Sequence, residues 1–267
     1  SLYDTRCRNE RDLGISLQVG NVCHADVAHR ALNLIKALGH VVVQRAGIGN
    51  IGVNALFKGK LGLAAEVVAL PVAGTVAALA LADLGAESAL CARLGNDSHG
   101  AALSRLYTNA GLENRTVTVD SRAATGLRVT VQEDAGDSRV LYYPGANAAL
   151  QLSDVDRALS LVQPEALYLC ATVPAEVLAG ACRLAAARSV PVFLDGEGID
   201  PDAPLHGLAG IEFFCAEAED IHALTGTFPA GIDSCLKAVV TLEKRLRAHY
   251  YVIKLGDRGL FLYDGRY

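Results

Sequence analysis

Six short stretches carry side chains whose type and spacing can do chemistry. In KLGDRG, Lys254 stands just ahead of Gly256 and Gly259. A glycine has no Cβ to keep the backbone away from a ligand, and an ammonium is a compact point charge that can contact phosphate; the same lysine can instead be a salt-bridging surface residue. AEAEDIHALTG sets Glu217, Glu219 and Asp220 where a helix begins. A carboxylate such as Asp220 can order a metal ion through water, but acids also simply favour a helix N-terminus. Asn54 in GNIGVN and Asn147 in PGAN can each donate to and accept from a hydroxyl; the plain alternatives are a strand-end turn and an Asx turn. In LPVAGTVA, Gly74 leaves room beside Thr75, which reads as a ligand contact or as an ordinary helix N-terminal residue. In GNDSHG, Asp97 suits the cap of the helix that follows, and His99 reads as a solvent-facing turn residue.

The totals remove several classes of function. The chain has 267 residues, 51% of them apolar and 20% charged, which is the balance of a globular protein with room for one large domain or two small ones. A net charge of −5 without any block of like charge gives no nucleic-acid surface. No apolar run reaches the roughly 18 residues of a membrane span, and no signal peptide is recognisable. The seven cysteines are scattered, without CxxC or paired spacing, and several sit in apolar runs such as ALYLCAT. That favours reduced thiols in the cytoplasm or another reducing compartment over disulfides or zinc. Met and Trp are absent.

These residues must be positioned by elements, and the elements alternate. GHVVVQRAGIGNIGVNALF is β-branched and strand-like. AGTVAALALADLG is a helix stopped at Gly85, ESALCARLG a strand, and SHGAALSRLYTNAG a helix ended by Gly111. EALYLCAT, VPVFLDG, IEFFCA and YYVIKLG are apolar strands. They are separated by a helix opened by Pro174, a short helix in EAEDIHALTG and a longer one in DSCLKAVVTLEKRLRA. Strands alternating with helices imply a parallel sheet covered on both faces. One segment departs from this rhythm. TGLRVTVQEDAGDSRVLYYPG is two alternating strands around EDAGDS, with Leu127, Val129 and Val131 on one side, a hairpin over about 125–144 that is a candidate lid. Residues 1–38 form a separate N-terminal extension. Their amphipathic helix HADVAHRALNLIKALGH lacks a basic face, so packing on the core or a partner is favoured over a DNA-binding helix. Residues 39–267 form the α/β domain.

In order, LALADLG, ARLGNDSHGAAL, the TG opening the hairpin, YYPGANAAL, VFLDG, EAEDIHALTG and IKLGDRGLFLYDG resemble the ribokinase-like, PfkB-type carbohydrate kinases over roughly residues 39–267. The resemblance implies an α/β three-layer sandwich with a central, mostly parallel sheet and a small β lid. It implies transfer of the γ-phosphate of ATP, with Mg²⁺, to a hydroxyl of a small sugar or nucleoside. Asn54, Gly74, Thr75 and Asn147 are the substrate-binding residues it implies. Lys254, Gly256 and Gly259 bind nucleotide, and Asp220 and Glu217 serve the metal. A homodimer through the lid, or a protein partner, also follows from it.

Several positions depart from the family pattern. Asn54 stands for the family's Asp, Leu70 and Pro71 for two glycines, Thr75 for Asn, Glu217 for Asn and Lys254 for Thr. The resemblance also implies a Gly-Ala-Gly-Asp turn, expected beyond FLYDG, that supplies an anion hole and the general base. The 267 residues contain no such tetrapeptide, so no catalytic residue is assigned in them and the chain alone is expected to lack turnover. The alternative is a degenerate, non-catalytic relative, a pseudokinase kept as a structural or partner-binding module.

Overall fold

The computed structural model describes residues 17–19, 67–70, 73–132 and 138–265. Asn54, the amphipathic segment near residues 24–40 and the hairpin tip at 133–137 lie outside the described residues. The chain divides into two compact units: Ser1–Arg30 with Val155–Tyr267, and Ala31–Asp154.

The first unit is built on a six-stranded sheet. β1 is Leu17–Val19, β7 Leu167–Cys170, β8 Val192–Asp195, β9 Ile211–Glu217, β10 Ala248–Lys254 and β11 Leu260–Tyr263, in the order β1-β11-β10-β9-β8-β7. β7 to β10 run parallel; β11 returns antiparallel to β10, and β1 lies parallel to β11. Helices α4 (Ala175–Ala187), α5 (Ala218–Thr225) and α6 (Ile232–Leu242) fill the crossovers. The period of two in a strand sorts the side chains. Leu169, Leu194, Phe214, Ala216 and Ile253 share one face and are all buried.

The opposite face is ordered in rows. Tyr168, Phe193, Phe213 and Tyr250 are partners in register, and the last three stack ring on ring at centroid distances of 4.9 and 4.6 Å. The next row towards the strand carboxyl ends is Cys170, Asp195, Cys215 and Val252; beyond it stand Glu217 and Lys254. A bulge keeps the aromatic row aligned: Val192 faces Ile211 while Phe193 faces Phe213, leaving Glu212 as the extra residue.

In the second unit, β2 (Val67–Leu70), β5 (Leu127–Gln132) and β6 (Ser138–Tyr143) form an antiparallel sheet, and β3 (Ala92–Gly95) pairs with β4 (Val117–Asp120) in parallel. The expected hairpin is therefore the β5–β6 pair, with β2 added as a third strand. Helices α1 (Ala73–Asp83) and α2 (Ser98–Asn109) pack Ala78, Leu79 and Tyr107 against Leu90, Leu94 and Leu112. Gly85 and Gly111 follow α1 and α2 with φ of +86° and +71°, the left-handed conformation that ends helices.

Among the described strands and α-helices, β1, β2, β4 and the helix α3 (Leu152–Val162) were not anticipated. α6 stops at Leu242, short of the expected stretch, and β10 starts at Ala248, earlier than expected. The turn between them is held by side chains. Arg245 donates to the carbonyls of Leu224, Pro201 and Ala203, and the buried Tyr251 hydroxyl donates to Leu246 O at 2.7 Å while accepting from Ala248 N.

Three glycine turns of the second unit meet at one carboxylate. Asp97 caps α2 through Gly100 N at 2.8 Å, and it accepts from Thr125 N and Thr125 Oγ1, each at 2.7 Å. Thr125 Oγ1 in turn accepts from Gly95 N at 3.0 Å. The backbones touch so closely that a Cβ on Gly100 would lie 2.1 Å from Gly95 O, and one on Gly145 2.4 Å from Ala124 O. Burial pushes the Asp97 carboxyl up, but the donors from Gly100 and Thr125 outweigh it and hold the group down at about 2. Asp97→Ala removes the cap and leaves the buried Thr125 amide unpaired, so it should cost about 2–4 kcal/mol in urea unfolding at pH 7. A depressed carboxyl pKa contributes stability that is present above its ordinary value and lost as pH falls through the folded one. Unfolding free energy should therefore decline between pH 3.8 and about 2, and more shallowly in Asp97→Asn; an identical slope in both proteins would refute this.

Candidate functional site

In an open parallel sheet, ligands bind outside the carboxyl ends of the strands. Three strands of the first unit end there on charged side chains. β8 ends on Asp195, β9 on Glu217 and β10 on Lys254, with Glu197 and Asp220 just beyond.

Asp195 is 6% exposed. The Tyr168 hydroxyl donates to its Oδ2 at 2.5 Å, and Glu197 N donates to Oδ1 at 3.1 Å. Burial, followed by the adjacent Asp195 carboxylate, pushes the Tyr168 phenol far above its usual range. The two thiols flanking Asp195 respond alike: burial and nearby carboxylates push Cys170 up, and burial outweighs the Lys254 charge to push Cys215 up to about 12. Neither is a thiolate nucleophile at neutral pH.

Lys254 and Glu217, partners in the parallel register of β10 and β9, form an ion pair of 2.8 Å. Burial would lower the lysine, but its hydrogen bond to Glu217 and the carboxylate charges of Glu217 and Asp195 overcome it and hold the ammonium above its usual range. Asp220, in the first turn of α5, accepts from Gly198 N at 3.2 Å. Burial raises its carboxyl, and Glu197 and Glu217 add to the rise against the opposing pull of Gly198 N and Lys254. Past Lys254 the chain makes a tight turn, with Gly256 at φ +63° and Gly259 at φ +91°, closed by Leu255 N to Gly259 O at 2.8 Å. A Cβ on Gly256 would meet nothing within 4 Å, so that glycine is required by conformation rather than by crowding. Lys254, Gly256, Gly259, Glu217 and Asp220 are thus brought to one end of one sheet.

The residues of the second unit are otherwise engaged. The Thr75 hydroxyl is 3.0 Å from the Tyr107 hydroxyl, and both side chains are buried in the α1–α2 core. Gly74, half-buried, precedes it in the first turn of α1. Asn147 Oδ1 accepts from Arg93 N at 2.9 Å, tying the turn after the hairpin to β3. Arg93 then pairs with Asp154 at 2.8 Å and Asp120 at 3.5 Å.

Sequence reading missed Asp195 and Tyr168. Its available signal was an aspartate closing an apolar strand just before a glycine, in VFLDG. Among the described residues no group of three or more His, Cys, Asp or Glu is placed to hold a metal ion. Glu217 is committed to Lys254.

The ion pair generates a measurable expectation. Glu217→Gln and Lys254→Met should each destabilise the fold, the lysine change more, since it leaves Glu217, Asp195 and Asp220 without their cation. The double variant should recover about 0.5–1 kcal/mol of the summed loss, the coupling of a half-exposed pair. Additive losses in denaturant unfolding would show that the pair is not coupled.

Comparison with known proteins bears on the whole arrangement. The sequence profile of the pfkB family carbohydrate kinases matches residues 73–267. Fructokinase-1 of Oryza sativa subsp. japonica is 23% identical over 198 residues, covering 70% of this chain and 61% of the relative. Ribokinase of Dictyostelium discoideum is 29% identical over 87 residues, 33% of this chain and 27% of that protein. The chain therefore spans less than two thirds of the length of these relatives. The structure of Arabidopsis thaliana ribokinase complexed with ribose and ATP has a TM-score of 0.61 at 22% identity, covering 70% of this chain and 61% of that one. Fructokinase from Xylella fastidiosa has a TM-score of 0.54 at 20% identity, covering 69% and 65%. These likenesses establish a ribokinase-type α/β fold, and with the profile spanning well over half of its residues, the chain belongs to the pfkB family of carbohydrate kinases.

Proposed function

We propose that the protein is a carbohydrate kinase that transfers the γ-phosphate of ATP to a hydroxyl of a small sugar or nucleoside. The observation that carries this reading is Lys254, an ammonium at a strand carboxyl end directly before the Gly256–Gly259 turn, in a chain of this family. Phosphoryl transfer asks the protein for charge neutralisation and positioning more than for covalent chemistry. Lys254 would meet phosphate oxygens, with Glu217 holding it in place until they arrive. Asp220 would hold a water on the nucleotide's Mg²⁺; burial, with Glu197 and Glu217 nearby, raises its carboxyl, and a cation would oppose that rise. Asn147 keeps its Nδ2 to donate to a sugar hydroxyl, and Asn54 and Gly74 complete the sugar side in this reading. The attacking hydroxyl oxygen forms the new P–O bond, the bond to ADP breaks, and the hydroxyl proton passes to a base that no described residue is assigned to supply.

The free cysteines among the described residues fit a reducing compartment such as the cytoplasm. No helix among these residues is long and apolar enough to cross a membrane. A second copy pairing along the edge strand β6, where Tyr143 is 52% exposed, belongs to the same reading.

The test has two arms. Calorimetry should detect MgATP binding that weakens about tenfold or more in Lys254→Ala, the size of one lost charge-assisted contact. ADP release by the protein made from its complete gene should depend on an added acceptor from a panel of ribose, fructose and nucleosides. Absence of MgATP binding would overturn the nucleotide assignment. Binding without turnover on any acceptor would favour the non-catalytic relative.

A further inference from the structure

The first unit has a second concave site at the opposite end of its sheet. A cavity of about 760 Å³ opens where β9 and β10 begin and α6 ends. Its size is that of a small-molecule pocket. Leu208, Ile211 and Val240 give it apolar surface, and Lys244, Arg247 and His249 stand around them.

The charges around this cavity are unequal. Among the described residues, Glu243 is the one carboxylate that lines it. His249 is occupied, with Nδ1 2.8 Å from Glu212 Oε2. Among the described residues, Lys244 and Arg247 have no hydrogen bond or ion pair through their side chains. Basic residues are common after a helix C-terminus, where carbonyls need donors, but here that work is done by Arg245, whose guanidinium reaches three carbonyls. Lys244 before it and Arg247 two residues after it are left exposed beside the cavity. The wall between them is held in shape, because the Tyr251 hydroxyl bridges Leu246 O and Ala248 N.

We infer that this cavity is a binding site for a small amphipathic anion, a phosphate or phosphate ester attached to an apolar group. The anion would pair with Lys244 and Arg247, and the apolar part would cover Leu208, Ile211 and Val240. β10 starts at this cavity with Ala248 and ends at Lys254, about 20 Å away at strand spacing. The site is therefore separate from the nucleotide end, yet joined to it by one rigid strand, and the inference stands whether or not the proposed kinase activity does.

The experiment uses phenyl phosphate, inorganic phosphate and phenol as probes in thermal-shift titrations of the whole chain. Phenyl phosphate should stabilise saturably and more strongly than inorganic phosphate, and phenol should not. Lys244→Ala combined with Arg247→Ala, both at exposed positions that tolerate change, should weaken the apparent affinity about tenfold or more. Lys254→Met should leave it within about twofold, a difference of roughly 0.4 kcal/mol. Unaltered affinity in the double variant, loss of binding in Lys254→Met instead, equal stabilisation by phenol, or no stabilisation by phenyl phosphate would each overturn the inference.

Discussion

The second unit depends on one carboxylate. Asp97 closes the start of α2 and fixes the root of the β5–β6 hairpin through both polar atoms of Thr125. Thr125 is 2% exposed, so its amide has no solvent to fall back on. Around this anion, glycine is needed where backbones meet: Gly95, Gly100 and Gly145 each lie where a Cβ would strike main-chain atoms. Three segments far apart in sequence, GNDSHG, TG and PGAN, therefore behave as one structural object. An ionised acid suits the centre because it accepts without donating, and all its neighbours are donors.

The first unit balances charge on the same economical principle. Taken one at a time, Glu217 and Lys254 read as losses, an acid and a base where the family pattern has neutral side chains. In the fold they sit opposite each other on adjacent parallel strands and neutralise one another. The two departures are thus one paired change, in which Lys254 neutralises Glu217. Deeper in the sheet, Asp195 is held differently, by a phenol hydroxyl and an amide.

Much of this was legible from the chain alone, and the parts that were not have physical reasons. Alternating apolar strands and helices gave the sheet from β7 to β10, and the turn glycines marked the ends of α1 and α2, because these signals are local. α3 was legible too: Leu152, Val155, Leu159 and Val162 repeat at helical spacing, and the stretch was simply passed over. The Lys254–Glu217 pair, the Tyr168–Asp195 bond and the Thr75–Tyr107 contact join residues 37, 27 and 32 positions apart. Such contacts follow from strand register and from helix rotation, which one sequence does not state. Thr75 illustrates the cost of this. A hydroxyl in the first turn of a helix looks available for a ligand, and only its rotation towards Tyr107 makes it part of the core.

The crowding of Gly126 and Gly145 has a mechanical consequence. A Cβ on Gly126 would lie 2.6 Å from Pro144 O, and Gly145 abuts Ala124 and Gly126 themselves. The two strands of the hairpin are thus clamped together where they leave the body of their unit, as a cantilever is clamped in a wall. A beam held in this way bends along its span and not at its base. Swinging of the hairpin would have to be taken up beyond Leu127 and before Tyr143, in the paired strands, while Thr125 and Asp97 stay where they are.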